Sequence, residues 1–208
     1  MDLYYFETPN ARKPVAIAHL LELPVTYRFV DLTRGEQKTP EYLAINPNGR
    51  VPALVDGDVK LWESHAIMIY LAQKAGSPLW PFDPVQQIDV IRWLLWDTCH
   101  FSRHAGRLFW QNHIKAKFGL GEADPAEVED AMTYFRQFAK VLDAHLVGRN
   151  HVAGDGLSIA DFGIASVLPT AAEAKLPMAE FPEIRRWHDN LMQIPSWREP
   201  WPMAQRAA

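Results

Sequence analysis

Asn46-Pro47-Asn48-Gly49-Arg50-Val51-Pro52-Ala53-Leu54-Val55 packs a turn, a proline and the start of an apolar run into one short stretch, and Glu63-Ser64-His65-Ala66-Ile67 follows soon after. Asn48-Gly49 is a strong turn dipeptide, and the run entered at Val51-Pro52 reads as a strand. A cis bond before Pro52 would leave the N–H and C=O of Val51 facing outward. An extended peptide can pair with such groups as an added strand. Ser64 stands where helical spacing begins, with Ile67, Tyr70 and Leu71 as the apolar face. Its hydroxyl and the N-terminal amides of that helix suit a carboxylate, while Glu63 suits an ammonium. One segment thus offers a strand edge, an anion site and a cation site, the complement of a small zwitterionic peptide.

Working outward, the first third of the chain alternates element types. Leu3 to Phe6 reads as a strand, Arg12 to Leu23 as a helix ended by Pro24, and Thr26 to Val30 as a second strand. Pro52 to Val55 and Val59 to Leu61 form a hairpin through Asp56-Gly57-Asp58, and a helix runs from Ser64 to Lys74. The order β-α-β, an irregular connection, then β-β-α is thioredoxin-like. Gly76-Ser77-Pro78 through Phe82-Asp83-Pro84 is rich in turn formers and separates the domains. The expected boundaries are residues 1–76, a linker over 77–84, and an all-helical domain over 85–208, an α+β protein as a whole. In that second domain apolar residues recur at helical spacing from Val85 to Ile114 and from Val128 to Leu146, with no strand pattern between them. Leu157-Ser158-Ile159-Ala160-Asp161 is a carboxylate variant of the capping box, with Leu157 and Phe162 as its staple.

Composition narrows the classes of function. With 208 residues and 48% hydrophobic content the chain can bury a sizeable core. Residues 1–76 hold 8 basic and 9 acidic side chains, and the remainder hold 13 and 16. Neither half has the basic excess that a nucleic-acid backbone requires. The single Cys99 excludes an internal disulfide framework and a Cys-x-x-Cys pair. Met1-Asp2-Leu3-Tyr4-Tyr5-Phe6 leads straight into polar residues without a basic n-region, and no apolar run approaches a membrane span. A soluble cytosolic protein is the economical reading.

The Val51-Pro52 and Glu63-Ser64 pairs, in this order and spacing, resemble the glutathione transferase family, which joins a thioredoxin-like domain to an all-helical one. The resemblance covers nearly the whole chain and extends to the Leu157–Asp161 motif. It implies that glutathione, a γ-glutamyl tripeptide, is the co-substrate. Its cysteinyl backbone would lie along Val51-Pro52 and its γ-glutamyl end at Glu63-Ser64, with Arg50 aiding its carboxylates. A homodimer and a small hydrophobic or disulfide second substrate are implied as well. Neither nucleic acid nor membrane is an expected partner.

A bound thiol needs something to stabilise its thiolate, and the turn after the first strand, Glu7-Thr8-Pro9-Asn10-Ala11-Arg12-Lys13, is the place to look. Thr8 and Asn10 are both good N-cap types and Pro9 is favoured at a first helical position, so a helix starts here on physical grounds. A sulfur beside it meets the positive end of that helix. The same Thr-Pro-Asn run resembles nu-class and related bacterial transferases, whose threonine and asparagine approach the sulfur and which include disulfide-bond reductases. Ala11 replaces a glycine frequent in that loop. Two rival assignments come from other classes. Tyr5 stands near the place of the tyrosine-type transferases, though in a strand it reads as a packing residue. Asn10 falls where the beta class has a cysteine, and Ser102-Arg103 falls over that class's histidine-lysine pair.

In the first long helix of the second domain, Trp96, His100, Arg103 and Arg107 fall at i, i+4, i+7 and i+11, with His104 beside them. Together with Tyr5, the residues His100, Arg103, His104 and Arg107 are candidates for the electrophile site. Cys99 reads as a small buried hydrophobe. Asp97, His100 and His104 imitate a metal triad but lack a His-Glu-x-x-His or cysteine partner, so no metal is assigned. The reading is a glutathione-dependent transferase attacking a small electrophile or a mixed disulfide, with peroxide reduction as a side activity. The alternatives are a non-catalytic member of the family serving as a binding or scaffold module, and a thiol oxidoreductase borrowing glutathione's sulfur.

Overall fold

The computed structural model describes residues 1–202. They form two compact units, Met1–Trp80 joined by the chain from Gln193 onward, and Pro81–Met192. The boundaries read from sequence assign 85–208 to one domain. In the structure the stretch from Gln193 packs with the first unit, and residues 203–208 lie outside the described residues.

The first unit is built on a four-stranded sheet in the order β2-β1-β3-β4. Its strands are β1 (Asp2–Tyr5), β2 (Thr26–Phe29), β3 (Ala53–Asp56) and β4 (Val59–Trp62). Strand β1 pairs in parallel with β2 and antiparallel with β3, and β3 with β4 is the expected hairpin. The parallel pair needs a crossover, supplied by helix α1 (Pro9–Leu20). Helix α1 begins earlier than Arg12, the first residue read as helical, because Thr8 caps it and Pro9 fits its first position. A short helix α2 (Pro40–Leu43) precedes the loop to β3, and helix α3 (Ser64–Lys74) follows β4. The core between sheet and helices is filled by Leu3, Val15, Ile17, Leu54, Ile67, Met68 and Leu71, all fully buried. The many small residues of α1, Ala11, Ala16 and Ala18, let it lie close to its neighbours.

In the second unit the helix read from Val85 to Ile114 widens twice. Helix α4 (Pro84–Trp96) passes into a π-helical turn at Asp97–Phe101, helix α5 (Ser102–Phe109) into another at Trp110–Ile114, and α6 (Lys115–Lys117) ends the run. Each added residue turns everything beyond it by about 100°. Asp97 and Phe101 point inward, while Cys99, expected to be buried, is exposed. Helices α7 (Pro125–Leu146), α8 (Ile159–Ala165) and α9 (Pro182–Leu191) pack around this run.

Helix starts in this unit share one device, a carboxylate at the first turn. Asp83 Oδ1 accepts the amides of Val85 and Gln86 at α4, both at 2.9 Å, and Asp124 accepts that of Ala126 at α7. Asp143, on α7, reaches across to the amides of Glu183 and Ile184 and caps α9. At α8 the capping box is complete: Asp161 Oδ2 accepts from the Ser158 amide at 2.9 Å. Its Oδ1 accepts from the Val152 amide at 2.9 Å and the Trp187 indole N–H at 3.0 Å. Burial pushes the Asp161 carboxyl upward, against the pull of these donors.

Asp161→Ala removes the acceptor of four buried donors, the amides of Val152 and Ser158, the Ser158 hydroxyl and the Trp187 indole, at about 1–3 kcal/mol for each left orphaned. We expect a loss of about 3 kcal/mol or more, read as a lower urea midpoint by tryptophan fluorescence, whereas Asp143→Ala should cost about 1 kcal/mol. Equal midpoints for Asp161→Ala and the parent chain would refute the role given to this carboxylate.

Candidate functional site

The end of β1 and the start of α1 form one corner of the site. Thr8 is extended (φ −122°, ψ 157°) and its Oγ1 accepts the Ala11 amide at 3.3 Å, while its carbonyl accepts the Arg12 amide at 3.0 Å. A hydroxyl that accepts one hydrogen bond still has its own proton to donate. Asn10 is therefore not the cap. It lies inside the first turn with its side chain exposed, and no acidic residue stands in that turn. The positive end of α1 faces outward without a carboxylate of its own.

The loop before β3 forms the second corner. The Arg50 carbonyl accepts from the Tyr42 hydroxyl at 2.6 Å and the Asn46 carboxamide at 2.7 Å. Asn46 Oδ1 accepts in turn from the amide and side chain of Asn48, and Gly49 takes the left-handed backbone (φ 59°) that the turn requires. This pins Arg50, whose side chain is exposed, next to Val51. The Val51–Pro52 bond is cis, and among the described residues the backbone of Val51 makes no hydrogen bond.

The entrance to α3 is the third corner. Glu63 sits at φ 70°, ψ 116°, a conformation costly for a residue with a side chain, and it makes no capping bond to the helix. Ser64 behind it is buried at the first helical position, where amides lack intrahelical partners. Helix α3 also lacks an acidic residue within its first turn. The two helix starts are tied together by a contact that sequence reasoning missed: buried Lys13 lies 3.0 Å from His65 Nε2. With Lys13 charged, Nε2 accepts and the imidazole proton sits on Nδ1. A lysine inside a run of small apolar residues is the only trace of this in the sequence. Arg12, the residue before it, was missed too. It lies against Trp197 and Trp201, and burial lowers its pKa to about 10.

Tyr5 is buried and held by rings, edge-on to Tyr27 at 6.2 Å and Phe29 at 5.7 Å and stacked on Trp201 at 6.0 Å. The remaining candidates belong to the second unit. His100 stacks on Phe138 at 4.4 Å and His104 on Tyr134 at 5.0 Å, both rings being on α7. His104 is buried with Nδ1 lacking a partner, and its pKa is lowered by desolvation and by the neighbouring Arg107 and Arg103. Arg107 binds Glu127 and Asp130 of α7, each at 2.6 Å, which makes it part of the helix packing rather than a solvated face. Arg103 is exposed. The structure thus brings Thr8 and Asn10 together at one helix start and Glu63 and Ser64 at another, and gathers His100, His104 and Arg107 along α7.

Comparison with known proteins identifies the family. The family described as glutathione S-transferase, N-terminal domain, matches residues 1–73, and that described as glutathione S-transferase, C-terminal domain, matches residues 100–195. Glutathione S-transferase 3 of Zea mays is 37% identical over 203 residues, covering 92% of this chain and 88% of the relative. Glutathione S-transferase D7 of Drosophila melanogaster is 31% identical over 204 residues, covering 96% and 88%. A glutathione transferase family member from Pseudomonas fluorescens pf-5, solved with two glutathione molecules bound, superposes with a TM-score of 0.87 at 26% identity, covering 96% of this chain and 91% of that one. With both of its domains matched in order and its backbone shared, this chain belongs to the glutathione S-transferase family.

Proposed function

We propose that the protein is a glutathione-dependent transferase whose thiolate is stabilised by Thr8, Asn10 and the N-terminus of α1. The observation that carries this reading is Glu63, held in a left-handed conformation at the head of α3 beside buried Ser64. A strained non-glycine residue persists where its position has a use, here presenting a carboxylate beside uncapped helix amides. Glu63 takes the ammonium and Ser64 with those amides the carboxylate of the γ-glutamyl end. The backbone of Val51 pairs with the cysteinyl residue and Arg50 aids the carboxylates. All the donors and charges needed for a zwitterionic peptide are supplied by the first unit.

The thiol gives its proton to solvent and the thiolate attacks. On an electrophilic carbon it forms the C–S bond and expels the leaving group, and on a mixed disulfide it forms a new S–S bond and releases the other thiolate. A cysteine-like thiol titrates near ~8.5, and lowering it by about two units requires roughly 2.7 kcal/mol of preference for the charged form. A helix N-terminus contributes about 0.3–1 kcal/mol when exposed and up to ~2 when partly buried, and a hydrogen bond to a charged acceptor contributes about 1.5–3. The Thr8 hydroxyl and the field of α1 suffice, so neither Tyr5 nor a general base is needed. The protein acts as a homodimer in this proposal. Phe82, Val85 and Ile88 at the start of α4 are 76%, 77% and 65% exposed, an apolar stripe suited to a second copy.

Ser64→Ala and Glu63→Gln should each weaken glutathione binding by about 1.5–3 kcal/mol in calorimetry. Unchanged affinity in both would remove the site. Thr8→Ala and Asn10→Ala should each lose part of the turnover and the double variant most of it, while Tyr5→Phe and Cys99→Ser retain it. Assays with a halogenated aromatic, an epoxide, a peroxide and a mixed disulfide identify the reaction, and affinity without turnover on any of them would make the protein a binding module. Sedimentation at micromolar concentration should give a dimer that Ile88→Glu dissociates, and a monomeric parent chain would overturn the assembly.

A further inference from the structure

The first turn of α1 is poorly held by its own helix. Pro14 lies inside α1, so the amide hydrogen that would bond the Asn10 carbonyl does not exist, and a proline ring crowds that carbonyl. A basic side chain in the first turn, Arg12, also adds charge of the unfavourable sign to the helix dipole. On local grounds this turn should fray.

What lies against it is the tail of the chain. Helix α10 (Pro195–Arg198) and the residues after it belong to the same compact unit as α1. The Arg12 guanidinium lies over the Trp197 ring at 5.3 Å and the Trp201 ring at 5.7 Å, and its Nη1 donates to the Trp197 carbonyl. Trp197 is fully buried. Trp201 in turn stacks on Tyr5, the last residue of β1, with ring planes 11° apart. The tail therefore grips the chain on both sides of Thr8, at Tyr5 before it and at Arg12 after it. Guanidinium stacking between two indoles requires a planar cation, which a lysine does not provide.

We infer that Trp197, Trp201 and Arg12 form a strap that positions the turn Thr8–Asn10 for the bound thiolate, Arg12 and Trp201 serving as positioning residues for the reaction. The coupling to chemistry rests on the transferase reading above, whereas the strap itself does not. Holding the turn fixes the direction of the Thr8 hydroxyl and the amides behind it, and placement errors of an ångström at a reacting centre cost up to about a hundredfold in rate.

Two variants of the full chain, Arg12→Lys and Trp201→Ala, test this with two readouts. The first is native-state amide exchange without ligand. The amides of residues 11 and 12 should exchange about tenfold faster in both variants, while that of Ile67, bonded to the Glu63 carbonyl on α3, keeps its rate. Equal acceleration at Ile67 means general destabilisation and overturns the strap, as does no acceleration at residues 11 and 12. The second is glutathione itself. Turnover should fall about tenfold and thiolate absorbance should titrate at higher pH, with glutathione affinity within about twofold of the parent because Glu63 and Ser64 are untouched. Faster exchange with an unmoved titration overturns the positioning role. A parent chain that binds no glutathione sinks the transferase reading instead, and the exchange arm still decides the strap.

Discussion

A helix that is to receive an anion must keep its N-terminus free of carboxylates, and this constraint divides the two units. In the second, α4, α7, α8 and α9 each start under an aspartate, from Asp83, Asp124, Asp161 and Asp143 respectively. In the first, α1 starts under a neutral threonine and α3 under a glutamate whose side chain makes no capping bond to the helix. The macrodipole and orphan amides meet a carboxylate at the helix starts of the second unit and none at α1 and α3. A carboxylate cap that would add stability is absent from α1 and α3, the two helix starts assigned to the proposed glutathione site.

That absence has a structural cost, and the first unit meets it with contacts from elsewhere in the chain. The loop ahead of β3 holds its shape through two donors on the Arg50 carbonyl, one of them from α2. Lys13 and His65 link the starts of α1 and α3 directly. Tyr5 is fixed by Tyr27 and Phe29 of β2, so the residue just upstream of the Thr8 turn is immobilised by aromatic packing. Each of these is a tertiary substitute for a local cap.

Local signals in the sequence led to the right elements where chemistry and periodicity coincide. Ser64–Lys74 reads as a helix from a serine and an apolar face, and Leu157–Asp161 reads as a capping box because all its partners lie within four residues. Boundaries moved where a cap outranked the apolar pattern, as at Thr8, which starts α1 before the first periodic residue. The helix from Val85 was legible but its π-helical turns were not, because an extra residue per turn leaves no mark on composition. Asp143 of α7 capping α9 and Arg12 against Trp197 join residues far apart in the chain, and no window of sequence contains both partners.

The return of the tail to the first unit bears on how the chain is made. A ribosome releases residues from the N-terminus onward, and domains ordinarily fold as they emerge. Here the sheet and helices α1, α2 and α3 of the first unit are synthesised long before Trp197 and Trp201, which complete the packing around Tyr5 and Arg12. The nascent first unit can gather its core but not close its surface, and chains cut short before the tail keep an open aromatic face at that corner. Covering of the Tyr5 ring and the Arg12 guanidinium is thus among the last events in assembling the first unit, although both residues are among the first to be synthesised.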